Sequence, residues 1–468
     1  MQRVHAFGDD ALGELDAVGL ADAIRAEWVS RADVIEAAIA RTEAVNPALN
    51  GLAHEAFQRA RASASSARSG FFSGVPTFIK DNIDVAGLPT RYGTDAWVAR
   101  DAAEDSVVAQ LILATGPICL GKTQLSEFGF SPAAEHLRLG PVRNPWNTDH
   151  TAGASSAGSG AFVAAGVVPI AHANDGGGSI RIPASCNGLV GLKPSRGRLP
   201  LDPQYRRMPV GVVVNGVVTR SVRDTAAFYR EAERIWRNPK LPPVGDVMRP
   251  GKDRLRIAVV TRSVQLDCSP EVRELTLKTA ALLEELGHRV EYLDNAWVPA
   301  NFVDDFVLYW GFLALAQVGM GRRAFGSSFD RTRLDNFTLG LRRHTSRRLA
   351  QLPAAIMRLR NVRRRSAQFF VTYDALLTPT LADEPPRIGY LAPTDYQQLL
   401  ERLTEWVAYT PLQNVTGDPA ISLPLAQAAN GLPVGMMLSA DIGCEARLLE
   451  LAYELEEARP WARIQAAD

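Results

Sequence analysis

Lysine is scarce in this chain. Of 51 basic residues among 468, only six are lysines: Lys80, Lys122, Lys193, Lys240, Lys252 and Lys278. A mechanism that needs an amine, as proton acceptor or phosphate ligand, must draw on that short set. Net charge is also missing. The 51 basic residues balance 51 acidic ones, which removes any bulk attraction to nucleic acid or anionic membrane. The four cysteines, Cys119, Cys186, Cys268 and Cys444, form no C-x-x-C pair, which argues against structural zinc and a disulfide framework. No window holds about 18 uninterrupted apolar residues. The N-terminal MQRVHAFGDDALGELDAVGL has no basic segment leading into an apolar one. The expectation is a soluble cytoplasmic protein with no membrane insertion, nucleic-acid partner, metal or cofactor.

What is present is an alternation of apolar runs. Residues 10–46 read as two helices, the second opened by Ser30 with Asp33 as a weak capping box. From Gly74 onward, strand-like PTFI (76–79), PICL (117–120) and VVPIAHA (167–173) alternate with helices near 105–115 and 157–166. That rhythm predicts an α/β fold in which a large, mostly parallel or mixed sheet is sandwiched between helices. Residues 237–254 are rich in proline and charge and read as a surface connection. Beyond them LRIAVV (255–260), a helix capped by Ser269 with Pro270 at its first position, and a strand near 289–293 resume the pattern. DALLTPT (374–380), AISLPL (420–425), PVGMMLS (433–439) and a helix over 445–458 complete it.

Residues 321–370 stand apart, with thirteen arginines against two aspartates and no glutamate. They read either as solvated helix faces or as a surface for an anionic substrate, headgroup or partner. Ile356, Met357, Leu359, Val362, Phe369 and Phe370 form the candidate apolar stripe of the helical part.

Gly116–Thr123, GPICLGKT, fits the G-x-x-x-x-G-K-[ST] pattern of a phosphate-binding loop, which makes a nucleotide-binding protein one reading. Its four central residues are Pro117, Ile118, Cys119 and Leu120. They read as a buried strand, which cannot wrap a phosphate, so Gly116 is expected to cap a helix and Lys122 to be structural.

Denser chemistry lies in GASSAGSG (153–160) and HANDGGGSIRIPASCNGLVGLKPSRGR (172–198). Consecutive glycines let backbone N–H groups converge on one point, the geometry an oxyanion hole needs. A phosphate site or a merely tight turn remains open on those letters alone. Serine needs a base, and none of the seven histidines shows an orienting partner. A lysine kept neutral by burial can serve instead. Lys80, Lys122 and Lys193 all follow apolar runs, and the residues by themselves do not rank them.

Together these stretches, with GVPTFIKDNIDVAGLPTRYGT, ICLGKTQLSEFGF, PLQNVTGDPAISLPL and LPVGMMLSA, resemble the amidase signature family over most of the chain. The resemblance implies one large amidase domain, 1–468, with an N-terminal helical region (1–69) and a signature core (70–236). The linker (237–254), a variable substrate-side region (300–370) and C-terminal strands with a terminal helix (371–468) follow. It implies a Ser-cisSer-Lys triad of Ser179 as nucleophile, Ser155 as bridge after a cis peptide bond, and Lys80 as base. Backbone N–H groups of Gly176, Gly177, Gly178 and Ser179 would form the oxyanion hole. Ser156 would help hold the lysine, while Asp175 and Arg181 would brace the loop. HANDGGGSIRIPAS, RNPWN and NVTGDPAISLP are similar to the bacterial branch that includes 6-aminohexanoate-cyclic-dimer hydrolase and actinobacterial amidases. A glutamyl-tRNA amidotransferase A-type subunit is the alternative within the family, and a homodimer is left open. Departures from the family pattern are Ala154, Ala157, Gly176 and Asn187; none removes a side chain the triad needs. Trp310, Phe312 and the arginines of the variable region are candidates for pocket lining, or for ordinary packing.

Overall fold

The computed structural model describes residues 2–66, 68–264, 266–294 and 297–466. Its main strands are Leu52–Glu55 (β1), Pro76–Lys80 (β2), Ile118–Thr123 (β3), Ile170–Asp175 (β4), Val190–Lys193 (β5), Val214–Thr219 (β6), Arg256–Val259 (β7), Arg289–Tyr292 (β8), Ala375–Pro379 (β9), Ala420–Gln427 (β10) and Pro433–Ser439 (β11). Eight of them form one sheet in the order β8-β7-β9-β11-β10-β5-β6-β4, and β1-β3-β2 form another. Helices cover the large sheet, so β4 and β11 are buried at every residue. Strands covered on both faces read as continuous apolar runs rather than alternating ones. The result is one large α/β domain with a mixed sheet.

Of the two forms expected, mostly parallel or mixed, the large sheet takes the mixed one. Within it the β7–β8 and β7–β9 pairs are parallel, and β9–β11, β11–β10, β10–β5, β5–β6 and β6–β4 are antiparallel; β2–β3 of the smaller sheet are parallel as well. Apolar runs report burial and carry no strand direction.

The two sheets meet along β2 and β4 through side chains. Thr77 Oγ1 donates to the Ile170 carbonyl at 2.9 Å, and the Lys80 N–H donates to His172 Nδ1 at 3.3 Å. This seam sets the end of β2 beside the end of β4.

Local signals behave as their chemistry requires. Ser30 caps Arg31–Leu49 by accepting from the Asp33 N–H, and Ser269 caps Pro270–Glu285. Gly116, with φ +111°, ends the turn after helix Val107–Ala114, a conformation an L side chain resists. β3 then runs straight through Gly-Lys-Thr, buried throughout. Lys122 is held by Asp81 (2.9 Å), the Pro89 carbonyl (3.0 Å) and Thr90 Oγ1 (2.9 Å), so no phosphate cradle forms there.

The arginine-rich region folds as Gly321–Phe325, Asn336–Ser346 and Leu352–Thr372. The last buries Leu352, Ala355, Leu359, Val362 and Ser366, whereas Met357, assigned to the stripe by its letters, is 63% exposed. Several arginines are clamps: Arg333 on Asp95, Arg358 on Asp305, Arg360 on the Pro209 carbonyl, and Arg363 on Asp418 and Asp441. Helix Phe302–Gly319 is long and apolar enough to cross a membrane by composition. Here it packs on Asn336–Ser346, where Thr345 Oγ1 donates to the Leu308 carbonyl at 2.9 Å.

Candidate active site

Lys80 ends β2, and the seam with β4 brings its amine into the interior, where the side chain is 0% exposed. Nζ donates to Asn174 Oδ1 at 2.7 Å and lies 2.7 Å from Ser155 Oγ. Burial pushes its pKa well below 10.5, and the Asp175 carboxylate offsets only part of that shift. Burial thus shifts the balance toward the neutral amine, whose lone pair can take a proton. Asn174 is itself oriented, its Nδ2 donating to Asn82 Oδ1 at 3.1 Å.

The other histidine and lysine candidates fall away. His172 is buried between the Lys80 N–H and Asn215, and burial lowers its pKa to about 3 although the Asn215 hydrogen bond opposes this. It fixes the strand seam and offers no base. Lys193 Nζ donates to the Pro194 carbonyl at 2.8 Å and Lys122 is tied to Asp81, so neither reaches a serine of the glycine-rich stretches.

Ser155 follows a cis peptide bond, Ala154–Ser155. The next residue, Ser156, donates from Oγ to the Ser179 carbonyl at 2.5 Å and to the Asn174 carbonyl at 3.3 Å. It does not hold the lysine, as the resemblance implied. It ties the serine segment to the glycine turn, and Asn174, missed in the sequence, holds the amine instead.

The turn from β4 to helix Arg181–Asn187 carries Gly176, Gly177, Gly178 and Ser179. Asp175 organises it. Its Oδ1 accepts from the Gly178 N–H at 2.7 Å and its Oδ2 from the Ile180 N–H at 3.2 Å. The Gly178 N–H is thus committed to the carboxylate, which removes it from the expected oxyanion set and leaves the N–H groups of Gly176, Gly177 and Ser179. Gly178 has φ +139°, and a Cβ there would collide with the Thr410 hydroxyl and Ile182. Thr410 Oγ1 in turn donates to the Gly177 carbonyl at 2.7 Å.

Arg181, to which the resemblance gave a bracing role, lies against this turn. Its guanidinium pairs with both Asp175 oxygens at 2.9 and 3.0 Å and reaches Gln413 Oε1 at 2.9 Å and Asn414 Oδ1 at 2.7 Å. Burial alone would raise the Asp175 pKa, but Arg181 foremost, then Lys193 and the Asn414 amide, pull it down to about 2. Asn414 also donates to the Asp175 and Val212 carbonyls at 3.0 Å. Gln413, Asn414 and Thr410 were not foreseen as site residues, although Gln413 and Asn414 open the QNVTGDP segment.

A cavity opens on Ser179 and Gly177. Phe130, Ile182, Phe302, Phe306, Trp310, Leu400, Leu403 and Val407 are among the residues that line it. Phe302, Phe306 and Trp310 recur at helical spacing on one face, with Phe306 and Trp310 stacked at 5.5 Å. Trp310 therefore lines the cavity as one reading proposed. Phe312 does not; it packs on the opposite side of the helix with Tyr309 and Leu352. None of the arginines of 321–370 lines it either.

Residues 33–449 match the family model described as Amidase. The chain belongs to the amidase family. It is 78% identical over its whole length, and that of the relative, to AmiC of Mycobacterium leprae, a protein named as an amidase. Among solved structures it resembles 6-aminohexanoate cyclic dimer hydrolase in complex with substrate. That match has a TM-score of 0.87 and 30% identity and covers 97% of this chain and 99% of the other. A bacterial aryl acylamidase of the amidase signature family superposes with a TM-score of 0.84 at 26% identity, covering 96% and 97% of the two chains. As a member of this family the protein is a hydrolase of carbon–nitrogen amide bonds. In it, Lys80, Ser155, Ser179 and the cavity all come from a single chain.

Proposed function

We propose that the protein hydrolyses a carboxylic amide to carboxylate plus ammonia or amine through an acyl-enzyme on Ser179. The observation that carries this reading is the buried Lys80 amine, 2.7 Å from Ser155 Oγ, in a segment tied to Ser179. Ser179 Oγ attacks the substrate carbonyl carbon while its proton passes to Ser155 Oγ, whose own proton passes to Lys80 Nζ. The tetrahedral oxyanion is held by the N–H groups of Gly176, Gly177 and Ser179; each such donor is worth about 2.7–4 kcal/mol of barrier. Collapse expels the amine, which takes the proton back along Lys80 and Ser155. Water then attacks the acyl carbon, gives its proton to the same relay, and releases the carboxylate and Ser179. The cavity residues bind the substrate, and the chain works in the cytoplasm, a reading supported by cysteines that are all free.

A fluorophosphonate probe followed by peptide mass spectrometry tests the assignment. Label is expected on Ser179, and Lys80→Ala is expected to slow labelling by about 10²–10⁴-fold, the usual worth of a positioned base, with an unchanged circular dichroism spectrum. Label on another serine, or an undiminished rate in the variant, would remove the proposed mechanism.

A further inference from the structure

Among the described residues, the wall of the cavity over Ser179 contains no ionisable side chain. Apart from the Ser179 hydroxyl and the N–H groups assigned to the oxyanion, its polar side chains already have partners, Ser131 Oγ accepting from the Ala133 N–H at 3.3 Å. Trp310 Nε1 donates to the Phe130 carbonyl at 3.0 Å, and Thr404 Oγ1 donates to the Leu400 and Glu401 carbonyls at 2.8 and 2.9 Å. What faces the cavity is ring and aliphatic surface.

Charged residues of the same helices point elsewhere. Val303, Val307, Leu400 and Thr404 line both this cavity and a second groove, whose other lining includes Asp304, Asp305, His344, Arg348, Arg358 and Glu401. Asp305 is consumed there by Arg358, at 2.5 and 2.7 Å. A carboxylate or ammonium carried into the cavity over Ser179 would lose its water and find no partner, which is strongly unfavourable.

We infer that the substrate of this site presents an uncharged, apolar acyl group, alkyl or aryl, and that amides whose acyl group ends in a carboxylate or ammonium are excluded. The inference rests on the proposed acylation of Ser179. It also bears on the amidotransferase alternative, because a glutamine side-chain amide arrives with both a carboxylate and an ammonium on its acyl group.

Alkyl fluorophosphonates test this without knowledge of the natural substrate. The probes are ethyl, butyl, hexyl and octyl chains, plus hexyl chains ending in carboxylate or ammonium. The second-order rate of Ser179 labelling is expected to rise about fourfold per added methylene until the cavity is full. Both charged probes are expected to react at least about a hundredfold more slowly than hexyl, since an unpaired charge is being buried. Leu403→Arg and, separately, Leu400→Arg are expected to slow the hexyl probe and to speed the carboxylate probe at least about tenfold, by giving the buried anion a partner. Circular dichroism checks that each variant folds. Charged probes labelling Ser179 within tenfold of hexyl would overturn the inference and leave the catalytic reading standing. No label on Ser179 from any probe would overturn the catalytic reading, and this inference with it.

Discussion

Lys80 touches a hydroxyl and an amide oxygen but no carboxylate, while Lys122, one β-pairing away, is fixed on Asp81. In the proposed mechanism that difference in partners separates the proton acceptor from a structural lysine. It makes Asn174 the residue on which the base depends. Replacing its amide by the isosteric carboxylate, Asn174→Asp, favours the ammonium form of Lys80 and so raises a pKa that burial now holds down. Activity needs the neutral amine, so the fraction of competent enzyme falls on the acid side. The acid limb of the Ser179 labelling rate against pH is expected to move to higher pH in Asn174→Asp, with the alkaline plateau retained. An unmoved limb would show that some group other than Lys80 governs the reaction. Lys80, Ser155 and Ser179 were singled out through the family resemblance of the motifs that hold them, since the residues alone did not rank Lys80 above Lys122 and Lys193. Asn174 sits in the same HANDGGGS run, yet its role depends on a side chain reaching across the seam from β4 to β2, and linear spacing does not report that. Ser156 shows the converse: the family resemblance assigned its hydroxyl to the lysine, and the chain direction there aims it at the Ser179 carbonyl.

Among elements, the turn from β4 into Arg181–Asn187 depends on a buried ion pair. Arg181 and Asp175 are both 0% exposed, and the carboxylate simultaneously anchors the Gly178 and Ile180 N–H groups. Asp175 has its pKa lowered from 3.8 to about 2 in the folded chain. A carboxylate lowered in this way contributes stability that is fully present above pH 3.8 and lost as pH falls toward 2. Arg181→Met leaves that carboxylate buried without its cation, a change costing about 3–5 kcal/mol. Burial is then opposed only by Lys193, Asn414 and the backbone N–H groups, so the Asp175 pKa rises and protonation and loss of structure begin at higher pH. Denaturant titration at pH 7 and an acid titration are expected to show both effects; coincident acid midpoints for the two proteins would contradict this account. The existence of the turn, its strand and its helix was readable from VVPIAHANDGGGS, because an apolar run ending in glycines has few other solutions. Its neighbours were not. Gln413 and Asn414 arrive from more than 200 residues away, and the antiparallel course of β9, β11 and β10 depends on returns that burial patterns do not encode.

For the whole molecule, arginine carries buried ion pairs such as Arg181 with Asp175 and Arg198 with Glu445, as its fixed fork and permanent charge suit it to do, while Lys122 holds the buried Asp81. The six lysines divide cleanly. Lys80, Lys122 and Lys193 are 0% exposed, while Lys240, Lys252 and Lys278 are exposed. The scarcity seen in the sequence narrowed the search for a base, but the letters around Lys80, Lys122 and Lys193 are alike, each following an apolar run; the surrounding fold distinguishes them. The division predicts a chemical pattern. Reductive methylation of the native protein, followed by peptide mass spectrometry, is expected to modify Lys240, Lys252 and Lys278 and to spare the other three. All six should react after unfolding in guanidinium chloride. Because a neutral amine is intrinsically the more reactive form, protection of Lys80 measures its burial rather than its charge. The natively methylated protein is expected to label at Ser179 at the unmodified rate, since no exposed lysine takes part. Modification of Lys80 as fast as Lys240 would refute the buried position, and loss of Ser179 labelling when only the exposed three are methylated would move the base to the surface.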